Sequence, residues 1–137
     1  MNTTHGSCLC GKVAITINPE KKIFDACHCG MCRKWGGGPA LTVHGGPKFE
    51  ITGFDHITVF NSSDWAERAF CKNCGTHLYY HLKGGDFHTF PLGLFKDTED
   101  FKFDVQIFTD HKPKHYDFAN ATKMMTEAEV LAMFGGK

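Results

Sequence analysis

Seven cysteines in three groups constrain this 137-residue chain more than any other feature. They stand at Cys8 and Cys10 (CLC), at Cys27, Cys29 and Cys32 (CHCGMC), and at Cys71 and Cys74 (CKNC). An odd count argues against a disulfide framework. The opening stretch MNTTHGSCLC lacks the basic segment and apolar run of a secretory signal. No run of about 18 apolar residues could cross a bilayer. The expected location is therefore cytoplasmic, and in a reducing compartment thiols at such short spacing are metal ligands.

In CKNCGT the two thiolates of Cys71 and Cys74, followed by Gly75, have the form of a metal-binding knuckle. Its turn points backbone N–H groups at sulfur, and glycine tolerates the conformation this needs. In CLC at the mouth of a strand, residues i and i+2 project to the same side, so Cys8 and Cys10 reach one ion. Two such jaws close a four-sulfur tetrahedron, the usual geometry of structural zinc. Cys27, Cys29 and Cys32 then form a second group with three thiolates and an open fourth position, the pattern of catalytic zinc. A histidine such as His28 or His77 could instead complete that group as a second structural site. Three thiolates leave zinc a weak Lewis acid, which disfavours plain hydrolysis, while a soft sulfur-rich site suits an incoming thiolate. The expectation is two zinc ions per chain, the second more loosely held, and chemistry on a small-molecule thiol.

Strand signals dominate the rest. KVAITI places Val13, Ile15 and Ile17 on one face, and FKFDVQIF (101–108) alternates with Phe101, Phe103, Val105 and Ile107 facing one way. HITVFN (56–61) and THLYYHL (76–82) are rich in β-branched and aromatic residues. Glycine and proline at GGGP (36–39), HGGP (44–47) and KGG (83–85) suit turns. One helix is expected, at the end, where Thr126 and Glu129 form a capping box and Gly135 terminates it. A single mostly β domain over 1–137 follows, held partly by metal. Fifteen basic and fifteen acidic residues cancel, so no pull toward nucleic acid or an anionic membrane is expected.

Arg33 and Lys34, beside the three-thiol group, could hold substrate carboxylates or be solvated charges flanking a turn. Arg68, just before Cys71, is open to the same two readings. Trp65, Phe60, Tyr79 and Tyr80 are read as core or half-buried strand residues. The histidines are read as surface or packing residues.

GSCLCGKV, CHCGMCRKWGG and RAFCKNCGTHL, in this order, resemble the glutathione-dependent formaldehyde-activating enzyme family, which includes centromere protein V. FNSSDWAERAFC and IFTDHKPKHYDF extend the match over nearly the whole chain. The resemblance implies a mostly β fold of tent-like sheets with one structural and one catalytic zinc. By position, Cys8, Cys10, Cys71 and Cys74 correspond to the first, and Cys27, Cys29 and Cys32 to the second. It also implies a carbon–sulfur lyase that handles S-hydroxymethylglutathione. His115 stands where the pattern has an aromatic residue. The alternatives are a non-enzymatic zinc module that binds a protein partner, and a thiol-redox or metal-buffering role.

Overall fold

The alternation in KVAITI becomes strand β2 (Ala14–Ile17) of a three-stranded sheet. In the computed structural model, which describes residues 2–134, β1 (Thr4–Ser7) pairs antiparallel with β2, and β2 with β5 (Glu50–Thr52). Val13, Ile15 and Ile17 are buried while Ala14 is exposed, as a period of two requires. These strands belong to the first of two compact units, formed by residues 1–22 and 43–101. The same unit holds the antiparallel run β6 (Ile57–Asn61), β7 (Ala66–Cys71), β8 (His77–Leu82) and β9 (His88–Pro91). Leu78 and Phe90 are fully buried here, and Phe90 meets Phe49 and Phe95 edge-on. A Cβ on Gly45 would lie 2.4 Å from the Phe90 ring, so this backbone approach needs glycine.

The second unit comprises residues 23–42 and 102–137. Strand β3 (Ile23–Cys27) pairs antiparallel with β4 (Ala40–His44) through residues 40–42, and parallel with β10 (Lys102–Ile107). Strand β11 (Lys123–Met125) adds in parallel to β10. Phe24 stacks on Phe103, and Phe118 meets Phe103 edge-on. The chain passes from unit to unit after residues 22, 42 and 101, so neither unit is one continuous segment.

The expectation of a mostly β chain with a short C-terminal helix holds. Helix α2 (Glu127–Met133) begins with the capping box of Thr126 and Glu129. Gly135 lies outside the described residues. The structure also contains a helix the sequence reading lacked, α1 (Gly30–Gly36), inside CHCGMCRKWGG. Seven residues with glycine at both ends give no helical period to detect. Cys29 caps it, accepting the backbone N–H of Cys32, and Gly37 ends it at φ 88°.

Two further expectations are corrected. The alternation of FKFDVQIF breaks at a bulge: Phe103 pairs with Phe24 but Val105 pairs with Asp25, leaving Asp104 unmatched. Phe101 and Phe103 are buried, yet beyond the bulge it is Gln106 that turns inward, while Val105 and Ile107 are only half-buried. Trp65 and Phe60, read as core or half-buried, are 59% and 53% exposed, because one lies in the bend before β7 and the other on the terminal strand β6. Among the described residues, no helix is long and apolar enough to cross a membrane.

Candidate functional site

Each unit carries one cluster of sulfur. In the first, Cys8 and Cys10 sit in the turn joining β1 to β2, not on an extended strand. Gly11, at φ 81°, donates its N–H to the Cys8 carbonyl, and this tight turn brings both thiols to one side. The CKNC knuckle closes similarly: Gly75, also at φ 81°, donates to the Cys71 carbonyl. The Sγ atoms of Cys8, Cys10, Cys71 and Cys74 all lie within 4.8 Å of one another.

Cys8 and Cys10 are separated by 3.5 Å at sulfur, and Cys10 and Cys71 by 3.8 Å. Four sulfurs about 2.3 Å from a tetrahedral zinc have edges of roughly 3.8 Å, so the donor set fits that ion. The surroundings favour thiolate. The Val13 N–H donates to the Cys8 sulfur. Hydrogen bonds from the Thr76 hydroxyl and backbone hold Cys74 down to about 5. The Asn73 side chain and the Lys12 backbone lower Cys10, whereas burial raises Cys71. Thr76 also accepts the Leu9 N–H, so this one residue braces both jaws.

The second unit gathers Cys27, Cys29 and Cys32, whose sulfurs also lie within 4.8 Å of one another. Cys27 ends β3, Cys29 caps α1, and Cys32 lies in its first turn. Contact with the Cys29 and Cys32 thiols, then burial, pushes the Cys27 thiol far up in the bare protein. Three crowded thiols that resist ionising together are the environment a cation would relieve, which fits a soft metal ion here.

His28, one of the two histidines considered as a fourth ligand, does not join this group. It is fully buried, with Nδ1 2.8 Å from the Tyr116 hydroxyl and Nε2 2.8 Å from Oε1 of Gln106. Both ring nitrogens are thereby engaged. Gln106 donates onward to the Thr122 hydroxyl. The other histidine, His77, lies on β8 of the first unit, and burial lowers its pKa.

Alongside the three-thiol group, a cavity of about 750 Å³ is lined by Arg33, Lys34, Gly37, His115, Tyr116 and Phe118, among others. Arg33 is fixed by donating from Nε to the His28 carbonyl, whereas Lys34 is exposed. The far wall is the 113–118 segment, which follows Lys112. There Lys112 donates to the carbonyls of Pro113 and Tyr116 and pairs with Asp117 at 2.7 Å. Burial raises the Tyr116 pKa, against the pull of Arg33 and Lys112. Arg68 lies elsewhere, buried on β7 over the Tyr80 ring. A third group, Asp110, His111 and Glu127, converges at the surface and is explained by helix capping: Asp110 accepts the Glu127 N–H and His111 pairs with Glu127.

Sequence reasoning missed Gln106, Tyr116 and Thr76. A lone glutamine inside an apolar alternation was the available signal for the first.

A mostly β chain with one cluster of four thiols and one of three, the latter beside a basic cavity, has the donor sets of a thiolate-metal protein. Residues 3–111 match the family described as glutathione-dependent formaldehyde-activating enzyme. The chain is 38% identical over 127 residues to an uncharacterized lyase of Schizosaccharomyces pombe, covering 92% of this chain and 93% of that protein. A second relative, from Halomonas elongata, is 31% identical over 83 residues, which is 54% of this chain and 53% of its own length. That protein is provisionally named a glutathione-dependent formaldehyde-activating enzyme. A crystal structure of a Rhodobacter sphaeroides protein shares the fold at TM-score 0.56 and 19% identity, over 72% of this chain and 98% of that one. The chain belongs to the glutathione-dependent formaldehyde-activating enzyme family.

Proposed function

We propose that this protein is a zinc-dependent carbon–sulfur lyase acting on a small thiol adduct such as S-hydroxymethylglutathione. Cys8, Cys10, Cys71 and Cys74 hold a structural zinc, and Cys27, Cys29 and Cys32 hold a second. The observation that carries this reading is the convergence of three thiols beside a cavity lined by Arg33, Lys34 and Tyr116. Family membership supports the substrate class. Seven cysteines outside any disulfide suit a reducing, cytoplasmic setting. The repeated passage of the chain between units supports treating residues 1–137 as one zinc domain.

Bound to three thiolates, zinc would supply a soft Lewis acid that stabilises a substrate sulfur as thiolate. The chain's own residues bind and orient the remainder. Arg33, anchored on the His28 carbonyl, presents a fixed positive charge to a substrate carboxylate. Lys34 adds an exposed one. Cleavage of a hydroxymethyl thioether releases the hydroxyl proton, forms the aldehyde C=O from the O–H electron pair, and leaves the C–S pair on sulfur. The reverse step adds thiolate to the carbonyl carbon.

Calorimetric titration tests the reading. Glutathione should bind through its sulfur, more weakly as pH falls, because ligand and thiol must be deprotonated. S-methylglutathione keeps both carboxylates but has no ionisable thiol and should bind much more weakly. Equal affinities would replace the lyase reading with that of a zinc-bearing binding module.

A further inference from the structure

The charged groups around the cavity differ in how much of each is left open to a ligand. An ammonium has three protons to donate, and that of Lys112 has three acceptors in reach. They are the Pro113 carbonyl at 3.0 Å, the Tyr116 carbonyl at 2.6 Å and Oδ1 of Asp117 at 2.7 Å. Lys112 is thus committed within its own segment, with its side chain only 15% exposed. Asp117 is the opposite case. It lines the cavity, its side chain is 79% exposed, and the pair with Lys112 engages Oδ1 alone. Its carboxylate is therefore held at one oxygen while Oδ2 can still accept from a ligand, which limits the freedom lost on binding. Arg33 and Lys34 line the same cavity from helix α1. The groups open to a ligand are then two cations from α1 and one carboxylate from the 113–118 segment.

We propose that Asp117 is a specificity-determining residue: its carboxylate receives the ammonium of an amino-acid-type thiol while Arg33 and Lys34 receive carboxylates of the same molecule. This deepens the proposed function, on which it rests, by narrowing the substrate class from anionic thiols to zwitterionic ones. Glutathione has the matching inverse set of charges, with two carboxylates and one ammonium. A thiol bearing carboxylates alone leaves Asp117 without its partner and facing like charge, and a plain alkyl thiol meets none of the three groups. Lys112 offsets part of the Asp117 charge and the carboxylate is exposed, so the discrimination is modest in size.

A cycle of two proteins and two ligands decides it. The zinc-replete protein is titrated calorimetrically with glutathione and with its des-amino analogue, in which hydrogen replaces the ammonium while the thiol and both carboxylates remain. Wild type should bind glutathione roughly threefold more tightly than the analogue. Asp117→Asn removes the charge but keeps an amide oxygen for Lys112, and at so exposed a side chain it leaves the fold intact. That variant should lose the preference by weakening glutathione alone, with the analogue bound as in wild type. Equal affinities in wild type, or a preference that survives in Asp117→Asn, would overturn the assignment while the proposed function stands, since both thiols still bind. Binding of neither thiol to wild type would overturn the proposed function, and this assignment with it.

Discussion

The sulfur of Cys10 stands 3.8 Å from the sulfur of Cys71, across 61 residues of sequence. Closing so long a loop is entropically costly, and a shared ion would offset that cost in the folded state. Cys71 is fully buried, so a hydroxyl there would also sit in a poor environment. Cys71→Ser should lower the melting temperature by about 10 °C or more, or leave the protein insoluble. Cys29→Ser, at a half-buried helix cap, should leave a folded protein with partial metal loss. Thermal melts with Cys29→Ser as the more damaging change would reverse the assignment of the two sites.

Metal content separates the clusters independently. Elemental analysis should find up to two zinc ions per chain, and graded chelation should remove the ion at Cys27, Cys29 and Cys32 first, because that group has three thiols rather than four. Simultaneous loss of both ions at one chelator strength would contradict a closed site and an open one.

Arg33 and Lys34 are adjacent in sequence but differently held. Arg33 donates to the His28 carbonyl at 3.0 Å, while Lys34 is exposed. A pre-positioned charge loses less freedom on binding. Arg33→Ala should weaken glutathione binding about tenfold and Lys34→Ala less than threefold. Equal losses, read by calorimetry, would show that the anchoring of Arg33 gives it no advantage over Lys34.

A pH-dependent element lies in the first unit. His81 bonds the Glu67 carboxylate at 2.9 Å through Nδ1 and the Gly85 carbonyl at 2.6 Å through Nε2. Both partners only accept, so both ring nitrogens must carry protons. Burial lowers the His81 pKa, but the bonds to Glu67 and Gly85 and the charges of Glu67 and Asp86 outweigh it, and the net shift is upward. The stacked neighbour His88, at 4.2 Å, is lowered by burial and remains neutral more readily. A raised folded-state pKa gives stability that is complete below the ordinary histidine value and fades as pH rises through the folded value. Denaturant melts should therefore show wild type more stable than Glu67→Gln at pH 5.5, with the gap shrinking by pH 8. A gap that widens with pH would refute this pairing.

Gly53 sits at φ 88°, where a Cβ would lie 2.0 Å from the Lys12 carbonyl oxygen. The strain of that conformation and the clash with backbone act together. Gly53→Ala should cost roughly 2 kcal/mol or more in chemical denaturation, against under about 1 kcal/mol for alanine at a strain-free site.

The two sulfur clusters were legible because each ligand pair or triplet is local in sequence, and spacing alone brings such thiols together. Strand β2 was legible through the alternation of KVAITI, and β8 through its aromatic content. What escaped was set by register. One unmatched residue at Asp104 inverts the expected faces of Val105 and Gln106, and no pattern in FKFDVQIF announces it. Cys8 and Cys10 came together as expected, but through a glycine turn rather than strand geometry. Helix α1 escaped because its start is determined by the Cys29 cap and not by an apolar stripe.

The interleaving of the two units has a consequence for shortened forms of the chain. A product ending at Phe101 would keep all seven thiols, and with them every sulfur of both clusters. It would lose β10, Gln106 and the 113–118 wall of the cavity. Thiol titration would score such a fragment as intact, although one wall of the cavity beside the three-thiol group had been cut away.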